Sequence, residues 1–169
     1  MAEGVQKKIE KEKEALTFLI KLLVLSIPLY LILWFNVDLS FLQEVITKLL
    51  YSFLIFFGVE VKRNGFALAL DGFFVYVSKD CTGWKGMLFL SALILSTKSS
   101  LKQKLLGFVI HIPSFFSFNM LRILLLLFLG SQSRELFYML HDFLWQISMV
   151  GVVLVLWAMW IKFSKNFNS

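Results

Sequence analysis

From Leu16 to Phe35 the chain is a nearly continuous apolar run, interrupted by Lys21 near its start and Pro28 inside it. A helix of about 20 such residues rises roughly 30 Å, the thickness of a bilayer's hydrocarbon core. Three more apolar segments follow, at 84–97, 105–130 and 143–163. The first is short enough to be tilted or to begin in the headgroup layer, and Pro113 removes a hydrogen bond inside the second. Of the 169 residues, 59% are hydrophobic and only 17% charged, against about a quarter charged in soluble domains. The 16–35 segment lacks the short apolar core and small-residue cleavage site of a signal peptide, so it is expected to be a retained span. The expected fold is an all-α polytopic membrane protein with about four transmembrane helices, in one membrane-embedded domain over residues 1–169.

Residues 41–80 have a different character. Gln43, Glu44, Thr47, Lys48, Tyr51 and Ser52 recur in pairs along 41–57, between Leu42, Val45, Ile46, Leu49, Leu50 and Phe53. That pattern predicts a helix with one polar stripe, lying in the interface or lining a polar cleft rather than crossing the bilayer. From Val59 to Val77, Asn64-Gly65 and Asp71-Gly72 are two-residue turn signals, predicting a small three-stranded β-meander. Turns at those dipeptides set Val61 opposite Leu68 and Leu68 opposite Val75, with Val59, Leu70 and Phe73 on the same face. Glu60 and Ala69, and Lys62, Ala67 and Tyr76, occupy the other. One apolar face suits a sheet resting on the bundle or on the membrane.

Charge gives an expected orientation. The N-terminal segment 1–15, the Lys98–Lys104 loop and the C-terminus, taken with Lys21, carry ten of the 17 basic residues and four glutamates. The remaining seven basic and seven acidic residues cancel, so the whole +6 falls on that side. The positive-inside rule makes it cytoplasmic. Four crossings satisfy the arrangement, with the amphipathic helix and meander outside; a fifth crossing at 41–57 would separate the basic segments. Because the positive charge is placed this way, nucleic acid is not an expected partner.

The single cysteine, Cys81, excludes an intramolecular disulfide and isolates one thiol. His111 and His141 are far apart in sequence, no metal-ligand spacing occurs, and no Gly-rich phosphate loop is present. Neither metal nor cofactor is expected. In the expected topology Cys81 lies outside just before the second span, His141 outside just before the last, and Arg122 in the outer half of the third, one turn beyond Asn119. A thiol, an imidazole and a guanidinium on one membrane face can serve as nucleophile, proton carrier and oxyanion stabiliser. Asp80, Thr82 and Gly83 suggest a tight polar turn at a helix start, an environment that favours a thiolate. Arg122 lies about eight residues from its span end, roughly 12 Å along the helix, which is far for snorkelling. A buried arginine at such depth marks a candidate site. His141 with Asp142 could instead cap the last helix, Cys81 could be a small core residue, and His111 beside Pro113 reads as a packing histidine.

The run Asp80-Cys81-Thr82-Gly83-Trp84, the segment Asn119-x-x-Arg122-Ile123 and the pair His141-Asp142 resemble the exosortase/archaeosortase family of membrane cysteine transpeptidases. The likeness covers roughly residues 50–160, and Cys-Thr-Gly is more similar to the archaeal-type branch. The resemblance implies that Cys81 is the nucleophile and Arg122 and His141 its catalytic partners, with Asn119, Asp80 and Asp142 in support. It also implies the substrates: exported proteins ending in a short motif, a transmembrane helix and a basic tail, cleaved through a thioester and passed to a membrane lipid. The chain is short for the family, many of whose members carry additional N-terminal spans. A membrane cysteine protease without transfer, and a non-catalytic assembly or scaffold subunit, are the alternative readings.

Overall fold

The computed structural model describes residues 2–143 and 148–166, without side chains at 2, 3, 136, 140–143, 165 and 166. Helix α1 (Ala2–Trp34) continues through Pro28. Its most apolar stretch has no residue buried inside the molecule, whereas the core helix of a soluble protein would be covered on at least one face. Leu23, Val24 and Tyr30 are among the residues it leaves exposed. Helix α4 (Leu101–Gln132) is the second long apolar helix, and it too is unbroken, through Pro113. Helix α3 (Trp84–Ser96) has 13 residues and α6 (Met149–Asn166) has 18. Among the described residues two helices, α1 and α4, are long and apolar enough to cross a membrane by length and composition, and α3 and α6 are shorter apolar helices.

Helix boundaries differ from the sequence reading for local reasons. Helix α4 starts four residues earlier than predicted because Ser100 and Gln103 form a capping box: the Gln103 N–H donates to Ser100 Oγ at 3.3 Å and the Ser100 N–H to Gln103 Oε1 at 2.8 Å. Residues Arg134–Phe143 form an additional helix, α5. Its amphipathic pattern, with Leu136, Phe137 and Leu140 among charged neighbours, is too polar to register as a span. Within the described residues α5 runs to Phe143 and α6 from Met149, so His141 and Asp142 fall in the last described turn of α5.

The 41–57 helix is present as α2 (Ser40–Phe56). Just ahead of it, the Asp38 carboxyl accepts the Ser40 backbone N–H at 2.8 Å and hydroxyl at 2.9 Å, bonds that hold it below its ordinary value. The polar stripe is split. Gln43 and Thr47 turn inward, while Lys48 and Ser52 stay exposed beside the apolar Phe41, Leu49, Phe53 and Phe56. The meander comprises β1 (Lys62–Asn64), β2 (Ala67–Leu70) and β3 (Phe73–Tyr76), antiparallel in that order. Its second hairpin is as predicted: Leu68 pairs with Val75 and Ala67 with Tyr76, around Asp71 (φ 48°) and Gly72 (φ 80°). The first is shifted. Asn64 pairs with Ala67 and Arg63, not Val61, with Leu68. The turn residues are Gly65 and Phe66, and only Gly65 has positive φ, at 56°, the pattern of a turn with glycine in its first central position.

Two apolar cores result. In the first, Ile46, Leu50 and Leu54 of α2 and Leu68, Leu70 and Val75 of the sheet close on Ile123 and Leu127 of α4, with Cys81 among them. The second joins Leu90 and Ile94 of α3, Phe115 of α4 and Val153, Leu156 and Trp160 of α6. Phe115 rests where a side chain at Gly86 would have to be, so α3 and α4 approach closely there. Helix α4 passes through both cores, and Asn119 and Arg122 fall between Phe115 and Ile123.

The ends of the bundle are distinct. At one, Lys98 pairs with Glu14 at 2.6 Å and Gln103 Nε2 donates to the Ser164 carbonyl at 3.3 Å. The N-terminal segment, the 98–104 loop and the C-terminal helix therefore gather together. At the other end of α1, Lys79 Nζ donates to Asn36 Oδ1 at 3.2 Å and the Val37 carbonyl at 2.6 Å. The helix between Glu14 and Trp34 rises roughly 30 Å.

Candidate active site

Strand β3 leads through Val77 and Ser78 into a 3-10 turn, Lys79–Thr82, and Gly83 then opens α3. Gly83 has φ +76°, and a Cβ there would lie 3.0 Å from Asn119 Cγ. Conformation and space both call for glycine at this position. The Cys81 N–H donates to the Ser78 carbonyl at 2.9 Å, the Thr82 hydroxyl to the Lys79 carbonyl at 2.8 Å, and the Met87 N–H to the Gly83 carbonyl at 3.1 Å. From α2, Gln43 Nε2 donates to the Val77 carbonyl at 2.7 Å. One residue of the polar stripe thus fixes the segment that delivers Cys81.

Within this frame Cys81 is 7% exposed. The Ser78 hydroxyl lies 3.3 Å from its Sγ and donates to it, a contact that strengthens when the sulfur is anionic. Asn119 Nδ2 donates to the Cys81 carbonyl at 2.9 Å, and Arg122 Nη1 donates to Asn119 Oδ1 at 3.3 Å. Arg122 is itself 7% exposed. A chain of contacts runs from the cysteine backbone through one amide to a buried guanidinium. Three of the sequence-marked residues are therefore together: Asn119 and Arg122, one turn apart on α4, meet Cys81, which lies 38 residues before Asn119.

Asp80 belongs to the same turn, but its carboxylate pairs with Lys85 at 2.7 Å on the surface. The side chains of His141 and Asp142 lie outside the described residues. Position 141 falls one helical turn beyond Phe137, whose ring packs against Phe73 of the sheet at 5.0 Å. His111 is elsewhere: its Nδ1 lies 3.1 Å from the Gly107 carbonyl, and its ring meets Trp160 at 5.9 Å in the second core. Ser78 was not legible as a site residue. Its one signal is the three-residue spacing to Cys81, which gains meaning only once the segment is known to be a 3-10 turn.

The family model of the transmembrane exosortases (Exosortase_EpsH) matches residues 11–161. The chain belongs to the transmembrane exosortase family. The match runs from α1 into α6 and takes in Cys81, Asn119, Arg122 and the whole meander. The exposed apolar surfaces of α1 and α4 are accordingly those of a membrane protein. Neither a curated protein nor a solved structure matches this exosortase-family chain.

Proposed function

We propose that this exosortase-family protein is a membrane cysteine transpeptidase. It cleaves the C-terminal sorting signal of exported proteins at Cys81 and passes them to a membrane lipid. The observation that carries the reading is the Cys81–Asn119–Arg122 linkage: a buried guanidinium held by an amide that also grips the backbone of the molecule's one thiol. In the reaction, His141 takes the thiol proton and Sγ attacks the scissile carbonyl carbon. Arg122 stabilises the oxyanion as the C–S bond forms. The C–N bond then breaks, and His141 returns the proton to the leaving amine. A nucleophile on the lipid displaces the resulting thioester and regenerates the thiol. Asn119 sets the position of both the turn and the guanidinium, and Asp80 and Asp142 support the flanking helix ends. Thr82, following the cysteine, favours the archaeal-type branch.

The experiment is capture of the intermediate. Membranes given a substrate with a motif, a transmembrane helix and a basic tail should yield an adduct on Cys81 that neutral hydroxylamine releases. Processing without any such adduct, in rapid-quench samples, would discard the thioester route. A product ending in a free carboxylate instead of a lipid would make the protein a simple protease.

The same reading gives four crossings, by α1, α3, α4 and α6, in the plasma membrane. The basic end is cytoplasmic, and α2, the sheet and Cys81 are at the outer face. The gathering of the three basic segments at one end supports it. Helix α3, only 13 residues long, then starts within the headgroup layer. In a Cys81→Ser background, a cysteine at position 64 should react with an impermeant maleimide in intact cells and one at 102 should not. The reverse pattern would overturn the orientation and the placement of the site.

A further inference from the structure

Helices α1, α3 and α6 leave a slot of about 290 Å³ between them, lined by Leu29, Gly86, Phe89, Met149, Val153 and Leu154, with Lys85 at one end. Phe89 and Leu154 are exposed at its rim, so it opens sideways from the bundle. Apart from the ammonium of Lys85, the named side chains present hydrocarbon and a thioether. We propose that the slot holds one hydrocarbon chain of a membrane phospholipid, with the lipid's phosphate on Lys85 beside the Cys81 turn.

Size and charge choose this occupant. Three turns of a helix 10–12 Å across displace roughly 1,500 Å³, so a partner helix could lie against the rim but could not enter. A single alkyl chain is slim enough, and the apolar lining favours it over any polar ligand. The slot also has a defined top. Lys79 and Lys85 cover the buried Trp84 ring at 5.8 Å and 5.9 Å, and lysines at the end of an apolar helix are the residues that reach to headgroup level. From Lys85 the slot runs along α3 to Phe89, roughly 6 Å deeper. Lys85 already pairs with Asp80, but both side chains are about half exposed, where such a pair contributes little. An ammonium has three donors, which leaves others for a phosphate oxygen. Lys79 is turned to Asn36 and Val37 and stands near Asp38, so Lys85 is the residue at the mouth.

The site does not depend on chemistry at Cys81 and is tested without it. Purified protein is irradiated with phosphatidylcholine carrying a diazirine on one acyl chain, at low mole fraction in detergent. Labelling should concentrate on peptides of α3 and α6 and fall severalfold with excess unlabelled phosphatidylcholine, but not with diacylglycerol, which lacks the phosphate. Leu154→Trp and Leu29→Trp, which fill the slot from opposite sides, should each remove the displaceable labelling. Lys85→Ala should leave labelling that diacylglycerol displaces as well as phosphatidylcholine does. Labelling that neither lipid displaces, or that survives in a folded tryptophan variant, overturns the site. Equal competition by diacylglycerol in the wild type overturns the role of Lys85.

Discussion

Cys81→Ala should abolish processing of the sorting signal while leaving the protein in the membrane at wild-type levels. The bonds that shape the turn at this residue are made by its backbone, the N–H to Ser78 and the carbonyl to Asn119, and alanine keeps both. Its side chain is one small member of the first core, so the cost in stability is about 1 kcal/mol. The chemical cost is of another order. Removing a nucleophile that works with a base typically lowers turnover by about 10⁶. Cys81→Ser should be almost as inactive, although it preserves a hydrogen bond to Ser78, because a hydroxyl lacks thiolate character. Immunoblots for precursor and product, at matched enzyme abundance, read the outcome. Wild-type processing by the alanine variant would remove the enzymatic reading altogether.

Arg122→Lys should also be inactive, with a loss of about 10²–10³ in rate, despite keeping the charge. The guanidinium donates one N–H to Asn119 and can aim others at a developing oxyanion. A point ammonium cannot reproduce that fork. His141→Ala should lose a proton-transfer contribution of about 10²–10⁴ yet still acylate slowly, so substrate should accumulate on Cys81. His111→Ala is the control: it gives up a carbonyl contact and a ring contact in the second core and should process normally. Normal processing by Arg122→Lys together with a dead His111→Ala would move the site inward, toward Pro113.

How much of this was legible depended on the range of the interaction. The apolar runs and the Asp71-Gly72 turn are local signals: helices occupy the runs, and the hairpin has the expected register. Cys81, Asn119 and Arg122 were picked out because each is chemically out of place in its segment, and the fold brings them together. The first hairpin slipped because Asn64-Gly65 suits a turn locally, whereas the register follows the pairing of Arg63 with Leu68. The inward turn of Gln43 and Thr47 could not be foreseen, since their stripe looks the same whether it faces water or the Val77 carbonyl. Helix α5 was missed because its apolar residues are too few for a span.

The distance in sequence between the two halves of the site also sets an order of events. A chain grows from its N-terminus at roughly 5–20 residues per second, and 41 residues separate Cys81 from Arg122. For roughly 2–8 s the nascent thiol therefore has neither the amide nor the guanidinium beside it. Until α4 has entered the membrane and docked, the cysteine is an ordinary one. On the proposed mechanism, competence therefore arrives only with the packed bundle.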